Sequence, residues 1–223
     1  MNITQFIKYL NKTKKWGIQS QYYSYIDEWR QWWAGYHTSF HRINECGLDG
    51  THHARTMYRL GMPKRACEDW AALLLNDKTT VTVTDKNTAS WLLGVDAQQT
   101  GGILKSIEFW SNANTLVELA FRSGTGAFVL SLENLVVKDG MAVLSPDAKI
   151  CLDYDPAECI LPITIRHGRI VDVAFASEVT VGGKSCIYLQ THRLVLRDGR
   201  QQYQITNEYF TSENEDTENA DYK

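Results

Sequence analysis

The sequence predicts an α+β fold, with N-terminal helices packed on an antiparallel β meander. In residues 1–125, apolar side chains recur every three or four positions, the spacing that gives a helix one apolar face. In residues 126–210 the period changes to two, and turn-forming dipeptides separate runs rich in β-branched residues. Helices followed by hairpins in this order indicate α+β, and we expect one core shared by both parts.

Five helices are predicted in the first part. The second carries Tyr22, Ile26, Trp29 and Trp33 at steps of four, three and four, and Gly35 ends it. Trp29 and Trp33 lie on this stripe and are candidate core residues. The polar stretch 36–56 is expected to be a connector. The predicted helices span residues 3–15, 20–34, 60–78, 87–94 and 102–121.

The third helix has the clearest local signals. Pro63 suits a first helical turn, and Asn76 and Asp77 are plausible stop residues. Its apolar residues at i, i+3, i+4 and i+7 define one face. We expect Trp70→Ala to cost about 3–5 kcal/mol if this ring is buried. The candidate core residues of this helix are Cys67, Trp70 and Leu74.

Four charged residues share that helix: Lys64, Arg65, Glu68 and Asp69. Adjacent helix positions point about 100° apart, so Glu68 and Asp69 cannot act together on one substrate atom. The four are therefore candidates for ion pairs, either within the helix or across an intersubunit or interdomain contact.

The strand predictions rest on alternation and on turn dipeptides. Residues 79–84 (TTVTVT) alternate from Thr80 onward and predict a strand. Four dipeptides predict hairpin turns in the second part. They are Asp139-Gly140, His167-Gly168, Gly182-Gly183 and Asp198-Gly199.

Composition favours a folded chain that does not bind nucleic acid tightly. Hydrophobic residues make up 43% and the net charge is −3. Residues 211–223 alone carry five acidic residues against one lysine, so the body is nearly neutral. This acidic tail is interpreted as solvated chain or as an interaction segment. The many Trp and Tyr residues suit a large core or contacts with neighbours.

No catalytic, cofactor-binding or metal-binding residue is predicted. Five cysteines without Cys-x-x-Cys spacing favour neither a disulfide framework nor structural zinc, and they suit a reducing compartment. Gly124 and Gly126 follow a helix and precede a strand, the reverse of a phosphate loop. No signal peptide and no run of about 20 apolar residues is present. One open alternative is a metal-dependent hydrolase that uses a connector cluster, formed by His37, His41, Cys46, His52 and His53.

One segment, LGMPKRACEDWAALLLNDKT, resembles the N-terminal helix of portal proteins from siphophages of Gram-positive bacteria. The matching positions are Met62, Lys64, Cys67, Glu68, Asp69, Trp70, Ala71, Leu73, Leu74 and Asn76. Further similar blocks follow the same order along the chain. They are WWAGYH with FH upstream, and LPITIRHGRIVDVAFASE, CIYLQTH and YQITNEYF downstream.

The resemblance implies the peripheral wing of a portal, a non-enzymatic ring component at one capsid vertex. Such rings are typically dodecameric, and they pass double-stranded DNA through a channel without specific binding. Implied partners are other copies of the chain, the terminase large subunit, the major capsid or scaffold protein, and a head–tail adaptor. The implied location is the virion, with the host cytoplasm during assembly and no membrane.

Portal proteins usually run to about twice this length, with stem, clip and crown after the wing. None of these follows Phe210 in this sequence. We therefore expect either the front part of a longer portal or a naturally short relative. The alternative within the same class is another phage minor head or adaptor protein, which the symmetry of its assembly would distinguish.

Overall fold

A computed structural model describes residues 3–76, 78–96, 99–138, 141–143, 145–197 and 199–211. It confirms the α+β fold with antiparallel sheets. The helices are α1 (Ile3–Thr13), α2 (Ser20–Trp33), α3 (Thr38–His41), α4 (Met62–Leu74), α5 (Lys86–Leu93), α6 (Ile103–Ser106) and α7 (Phe109–Ser123). The strands are β1 (Arg42–Cys46), β2 (His52–Thr56), β3 (Gly126–Glu133), β4 (Val136–Lys138), β5 (Met141–Val143), β6 (Lys149–Pro156), β7 (Ile160–Arg166), β8 (Arg169–Val181), β9 (Lys184–Arg197) and β10 (Arg200–Thr211).

The chain divides into two compact units, and neither unit coincides with the helical part (1–125) or the β part (126–210) that were predicted to share one core. The first unit joins residues 1–32 to residues 157–223, and the second spans residues 33–156. The first unit is discontinuous because the apolar face of α1 belongs to the same buried cluster as side chains of the C-terminal sheet.

The first unit is built on a four-stranded antiparallel meander in the order β10-β9-β8-β7. Phe6, Ile7 and Leu10 of α1 are completely buried in its core. The hydroxyl of Tyr23 in α2 donates a hydrogen bond to the carbonyl oxygen of Ile160 at 2.6 Å, and burial raises the pKa of this phenol. Helix α2 is thereby fixed to strand β7 by both packing and a polar contact.

Two of the predicted hairpin turns are confirmed. His167 and Gly168 have φ of 50° and 73°, and Gly182 and Gly183 have φ of 58° and 79°. Positive φ at both central residues matches the right-handed twist of the flanking strands, which is why glycine is favoured there. Some predicted features lie outside the described residues. They are the turn residues Asp139, Gly140 and Asp198, the helix-stop residue Asp77 and the tail 212–223.

The second unit packs α4 and the β3–β6 pair against α7. Its α6 and α7 replace the single helix predicted at 102–121, because Glu108 has a left-handed backbone (φ 51°) that interrupts the helix.

The expected connector at 36–56 instead contains α3 and the β1–β2 hairpin. The strand predicted at 79–84 is wrong, since within the described ranges no strand pairs with this segment. No helix in the described part of the chain is both long and apolar enough to cross a membrane.

Two carboxylates lie on one side of strand β6. Asp153 and Asp155 are two residues apart and therefore point to the same face. Partial burial of Asp155, with a further contribution from the charge of Asp153, raises the pKa of the Asp155 carboxyl to about 6. Because this pKa exceeds the unfolded value of about 3.9, the folded state holds the proton more tightly. Stability therefore falls as pH rises from about 4 to about 6.

We expect Asp155→Asn to raise the free energy of unfolding at pH 7 by about 1 kcal/mol, because the amide removes the cost of ionising a partly buried acid. This free energy is smaller than the full pKa shift of Asp155 would give, because the side chain is partly exposed and solvent screens its charge. Urea unfolding at pH 7 and at pH 3.5 measures the effect, which should vanish at the lower pH. Asp147→Asn, at an exposed position, is the matched control. An equal gain at both pH values would contradict the electrostatic cause.

Candidate interaction surface on helix α4

Helix α4 is anchored to α7 through its small residues and its C-terminal end. Ala71 is buried, and Cys67 is partly buried beside it. The side-chain amide of Asn114 in α7 donates to the carbonyl oxygens of Ala71 and Leu75, both at 3.2 Å. Both carbonyls lie at the C-terminal end of α4, and that of Ala71 also accepts the backbone N–H of Leu75 at 2.9 Å. The anchoring therefore uses one narrow face of α4.

Burial also determines the chemistry of Cys67. Desolvation, followed by the negative charge of Glu118, raises the pKa of the Cys67 thiol. A raised pKa keeps the thiol protonated at neutral pH, whereas a nucleophilic cysteine needs a thiolate. Cys67 therefore acts as a small apolar residue in the packing of α4.

The four charged candidates form ion pairs within the helix. The Nε of Arg65 lies 3.1 Å from Oδ1 of Asp69. The Nζ of Lys64 lies 3.8 Å from Oε1 of Glu68, and Nη1 of Arg65 lies 3.9 Å from Oε2 of the same residue. Exposed pairs at this spacing stabilise a helix by about 0.3–0.5 kcal/mol each. In the single chain these residues thus serve the helix itself, and a role between subunits stays a prediction.

The core prediction is wrong for three residues: Trp29 is 37% exposed, Trp70 53% and Leu74 52%. Helix α2 instead turns Tyr23 and Ile26 inward, and the ring of Trp29 stacks on that of Tyr25 at 6.2 Å. In α4 the inward face is centred on Ala71, because a small side chain allows close approach to α7. The remaining candidates, Cys67 and Trp33, are partly buried.

Trp33 lies between two cations of the second unit. The Nζ of Lys64 lies 4.9 Å from its ring centroid and the guanidinium carbon of Arg122 lies 5.5 Å away. Both distances are within the range of cation–π attraction. Lys64 therefore contacts both an acidic residue of its own helix and the Trp33 ring, which fixes the direction of its side chain.

The α4 helix exposes a second apolar face. We call it the α4 stripe: Met62, Trp70, Leu73 and Leu74, with Phe121 of α7 beside them. The Trp70 and Phe121 rings stack with centroids 5.7 Å apart and planes 18° apart. Leu73 is 67% exposed. A helix with apolar residues on two faces normally packs on two sides, so this stripe is a candidate contact surface for another protein.

An open groove of about 860 Å³ adjoins the C-terminal end of α4. Leu75, Leu93 and Trp110 supply apolar walls, and Asn76 and Asp96 supply polar groups. The Oδ1 of Asp96 accepts a hydrogen bond from the backbone N–H of Thr100 at 2.9 Å. This carboxylate therefore stabilises its own loop, and the described residues that line the groove form no acid–base pair.

The connector cluster is spread over separate positions. Cys46 and His52 are cross-strand partners in the β1–β2 hairpin, and His53 points to the opposite face from His52. His41 is buried and its ring stacks on Tyr36 at 5.4 Å. Within the ranges that the structure describes, no three His, Cys, Asp or Glu side chains are grouped so as to hold a metal ion.

A second exposed apolar surface lies on the β3–β6 pair. The sequence did not predict it. Leu130 and Leu132 of β3 and Ile150 of β6 share one face and are exposed. Their signal is the alternation in FVLSLE, which predicts an apolar strand face but does not say whether another element covers it.

The chain was compared with protein-family models, curated proteins and solved structures, and none of the three comparisons returned a match. The second unit has two exposed apolar surfaces, one on helix α4 and one on the β3–β6 pair. Such patches are typical of protein–protein contacts.

Trp70→Ala is expected to lower the free energy of unfolding of the isolated chain by about 1–2 kcal/mol. The loss is small because half of the ring is already in water, and it comes from the stack on Phe121. Leu116→Ala, in the buried face of α7, is the comparison and should cost about 2–5 kcal/mol. Urea denaturation followed by circular dichroism measures both. A larger loss for Trp70→Ala than for Leu116→Ala would show that the ring is buried in solution.

Proposed function

We propose that this chain is the wing region of a portal protein of a tailed bacteriophage, a structural ring component and not an enzyme. The observation that carries the proposal is the ordered set of sequence blocks that resemble this family. The block KRACEDWAALLLN contains most of α4, and the blocks LPITIRHGRIVDVAFASE and CIYLQTH contain most of β7 and β8 and part of β9. Several blocks in the same order along a chain are more specific than one motif.

The exposed α4 stripe is the structural observation that supports the proposal. The resemblance is strongest in α4, yet α4 turns Trp70 and Leu73 toward solvent in the single chain. Large apolar side chains in water are unfavourable for an isolated protein, and a contact with another chain removes that cost. A helix with this surface suits a protein that works inside an assembly.

The charge of the chain also supports the proposal. Outside residues 211–223, which carry a local charge of −4, the acidic and basic residues nearly balance, so the body has little net positive charge with which to hold phosphates. A channel through which double-stranded DNA slides needs weak contacts with the phosphate backbone, because each phosphate that is neutralised strengthens binding. The proposed ring therefore lets DNA pass without holding it.

The proposal includes partners and a location. The chain contacts other copies of itself in a ring, typically dodecameric, and the complete ring contacts the terminase large subunit, the major capsid or scaffold protein and the head–tail adaptor. The ring lies at one vertex of the virion capsid, and it assembles in the host cytoplasm. DNA packaging and head–tail joining are the functions that follow.

Electron microscopy of phage heads from the cells that encode this chain tests the proposal. An antibody raised against residues 1–211 is expected to label a single vertex per head. The purified full-length gene product is expected to form closed rings with a central channel. Label distributed over the whole shell, or label on the tail alone, would contradict the portal assignment. Either result would favour another minor head or adaptor protein.

A further inference from the structure

We propose that the acidic tail, residues 212–223, binds a group of lysines on helix α1 of the same copy. We call this group the α1 lysine cluster. It consists of Lys8 and Lys12 of α1 and of Lys15, which lies two residues beyond the end of the helix. The inference concerns a contact within one copy, so it goes beyond the proposed function and does not depend on it.

The positive charge of the chain is concentrated in its first segment. Residues 1–26 contain four lysines and no acidic residue, whereas residues 27–211 contain 18 basic and 21 acidic residues. The tail contains five acidic residues and one lysine, so the first segment and the tail carry net charges of +4 and −4. Ala220 and Tyr222 are the only apolar residues of the tail, and the attraction must therefore come from charge.

The lysines of the cluster are available for an ion pair. Lys8, Lys12 and Lys15 are exposed, and no carboxylate in the described part of the chain pairs with them. Lys14 differs, because its Nζ already lies 2.6 Å from Oε1 of Glu208. Lys8 and Lys12 are four positions apart on one side of the helix, where like charges repel and destabilise it. A carboxylate of the tail beside them removes this repulsion.

The tail begins beside the helix that carries the cluster. Phe210 is the last residue but one of β10, and its ring makes an edge contact with the ring of Tyr9 in α1 at 5.9 Å. Lys12 is three positions after Tyr9, and residues at this spacing are neighbours on a helix surface. Both α1 and β10 belong to the first unit. The cluster therefore adjoins the end of β10, from which the tail continues.

The length of the tail suits this cluster. An extended chain covers up to about 3.3–3.6 Å per residue, so Glu213 to Glu218 can reach along α1, which is about 16 Å long. Arg197 and Arg200 are the alternative basic residues of the first unit. They lie at the opposite end of β10, which is about 35 Å from Thr211. Glu218 is only seven residues beyond Thr211, so most of the acidic residues cannot span that distance.

Zero-length crosslinking of the full-length protein tests the contact. A carbodiimide joins a lysine amine to a carboxylate only where the two groups touch, and mass spectrometry of the peptides identifies both partners. Carboxylates of the tail are expected to be joined to the α1 lysine cluster at low salt. The yield is expected to fall about tenfold at about 1 M salt, where the Debye length is about 3 Å. The Lys14–Glu208 ion pair is the internal positive control at low salt.

A mixture of ¹⁵N-labelled and unlabelled protein separates a contact within one copy from a contact between copies. A contact within one copy is expected to join only two labelled or two unlabelled peptides. Mixed pairs as abundant as the others would overturn the proposal and would show that the tail binds a second copy. Crosslinks to Lys184, which is near the partner of Thr211 in β9, in place of the cluster would also overturn it. A tail without crosslinks, beside a crosslinked Lys14–Glu208 pair, would do the same.

Charge variants of the full-length protein give a second, independent measurement. In the triple variant Lys8→Gln, Lys12→Gln and Lys15→Gln, the backbone amide resonances of the tail are expected to shift. Lys→Arg changes at the same three positions keep the charge and are expected to leave these resonances at their wild-type positions. The control is Lys78→Gln with Lys86→Gln, two exposed lysines of the second unit.

The control is expected to leave the tail resonances unchanged, because its lysines lie outside the cluster. Unchanged far-UV circular dichroism checks that each variant is folded. Tail resonances that are the same in the triple glutamine variant and in the wild type would overturn the contact. Equal shifts in the control would overturn the assignment of the cluster, since any loss of positive charge would then have the same effect. None of these results depends on whether heads are labelled at a single vertex.

Discussion

Phe6→Ala is expected to lower the free energy of unfolding by about 3–5 kcal/mol, the largest effect of any single truncation considered for this chain. Phe6 is completely buried, and its ring makes an edge contact with Phe210 at 5.3 Å. The substitution removes both the apolar burial and this ring pair, and it leaves a cavity between α1 and strand β10. Because α1 and β10 come from opposite ends of the chain, the cavity weakens the contact that closes the first unit.

Chemical denaturation monitored by far-UV circular dichroism measures this loss. Phe40→Ala is the matched control, because Phe40 is also a phenylalanine within a helix, α3, but is 54% exposed. It is expected to cost about 1 kcal/mol or less. Similar losses for the two variants would mean that α1 does not lie on the C-terminal sheet in solution.

The position of α1 shows what the sequence could and could not predict about the fold. The helical period of residues 3–15 predicts α1 itself, and the turn dipeptides predict the meander. Neither pattern says that the first helix joins the last strands in one unit. That pairing depends on contacts between residues about 200 positions apart, such as Lys14 Nζ with Glu208 Oε1 at 2.6 Å. Local periodicity contains no information on such partners.

The strand predicted at residues 79–84 failed for a related reason. Alternation of Thr and Val gives a segment the propensity for a strand, but a strand also needs a neighbour for its backbone hydrogen bonds. Within the described ranges no strand pairs with this segment, and its residues line the groove near Trp110. Strand propensity alone therefore does not make a strand.

The candidate site was predicted in part. The spacing of Lys64, Arg65, Glu68 and Asp69 predicts ion pairs, and the structure contains them within α4. The sequence does not predict which face of α4 packs on α7, because Trp70 and Ala71 are adjacent and both are apolar. A large residue contributes more burial, but the small one permits closer packing on α7, and the structure takes the second arrangement. The exposed Trp70 is the consequence.

Gly94→Ala is the second substitution with a large expected effect, a loss of at least about 3 kcal/mol. Gly94 ends α5 with φ 92° and ψ 176°, a backbone conformation that residues with a Cβ rarely adopt. A Cβ at this position would also lie 2.5 Å from the carbonyl carbon of Gln99. Backbone atoms cannot move aside as a flexible side chain can, so the loop between α5 and α6 would have to rearrange.

Gly168→Ala is the comparison at a glycine of positive φ that has no backbone clash. Gly168 also has positive φ, 73°, but a Cβ there meets no atom within 4 Å. Its replacement therefore incurs only the left-handed strain, about 1–2 kcal/mol. Urea denaturation of both variants should show a difference of about 2 kcal/mol, which combines the backbone clash with the greater strain of the Gly94 conformation. Equal losses would mean that Gln99 does not approach Gly94 in solution. In that case the wall of the groove that Gly94 and Gln99 share with Trp110 would be open.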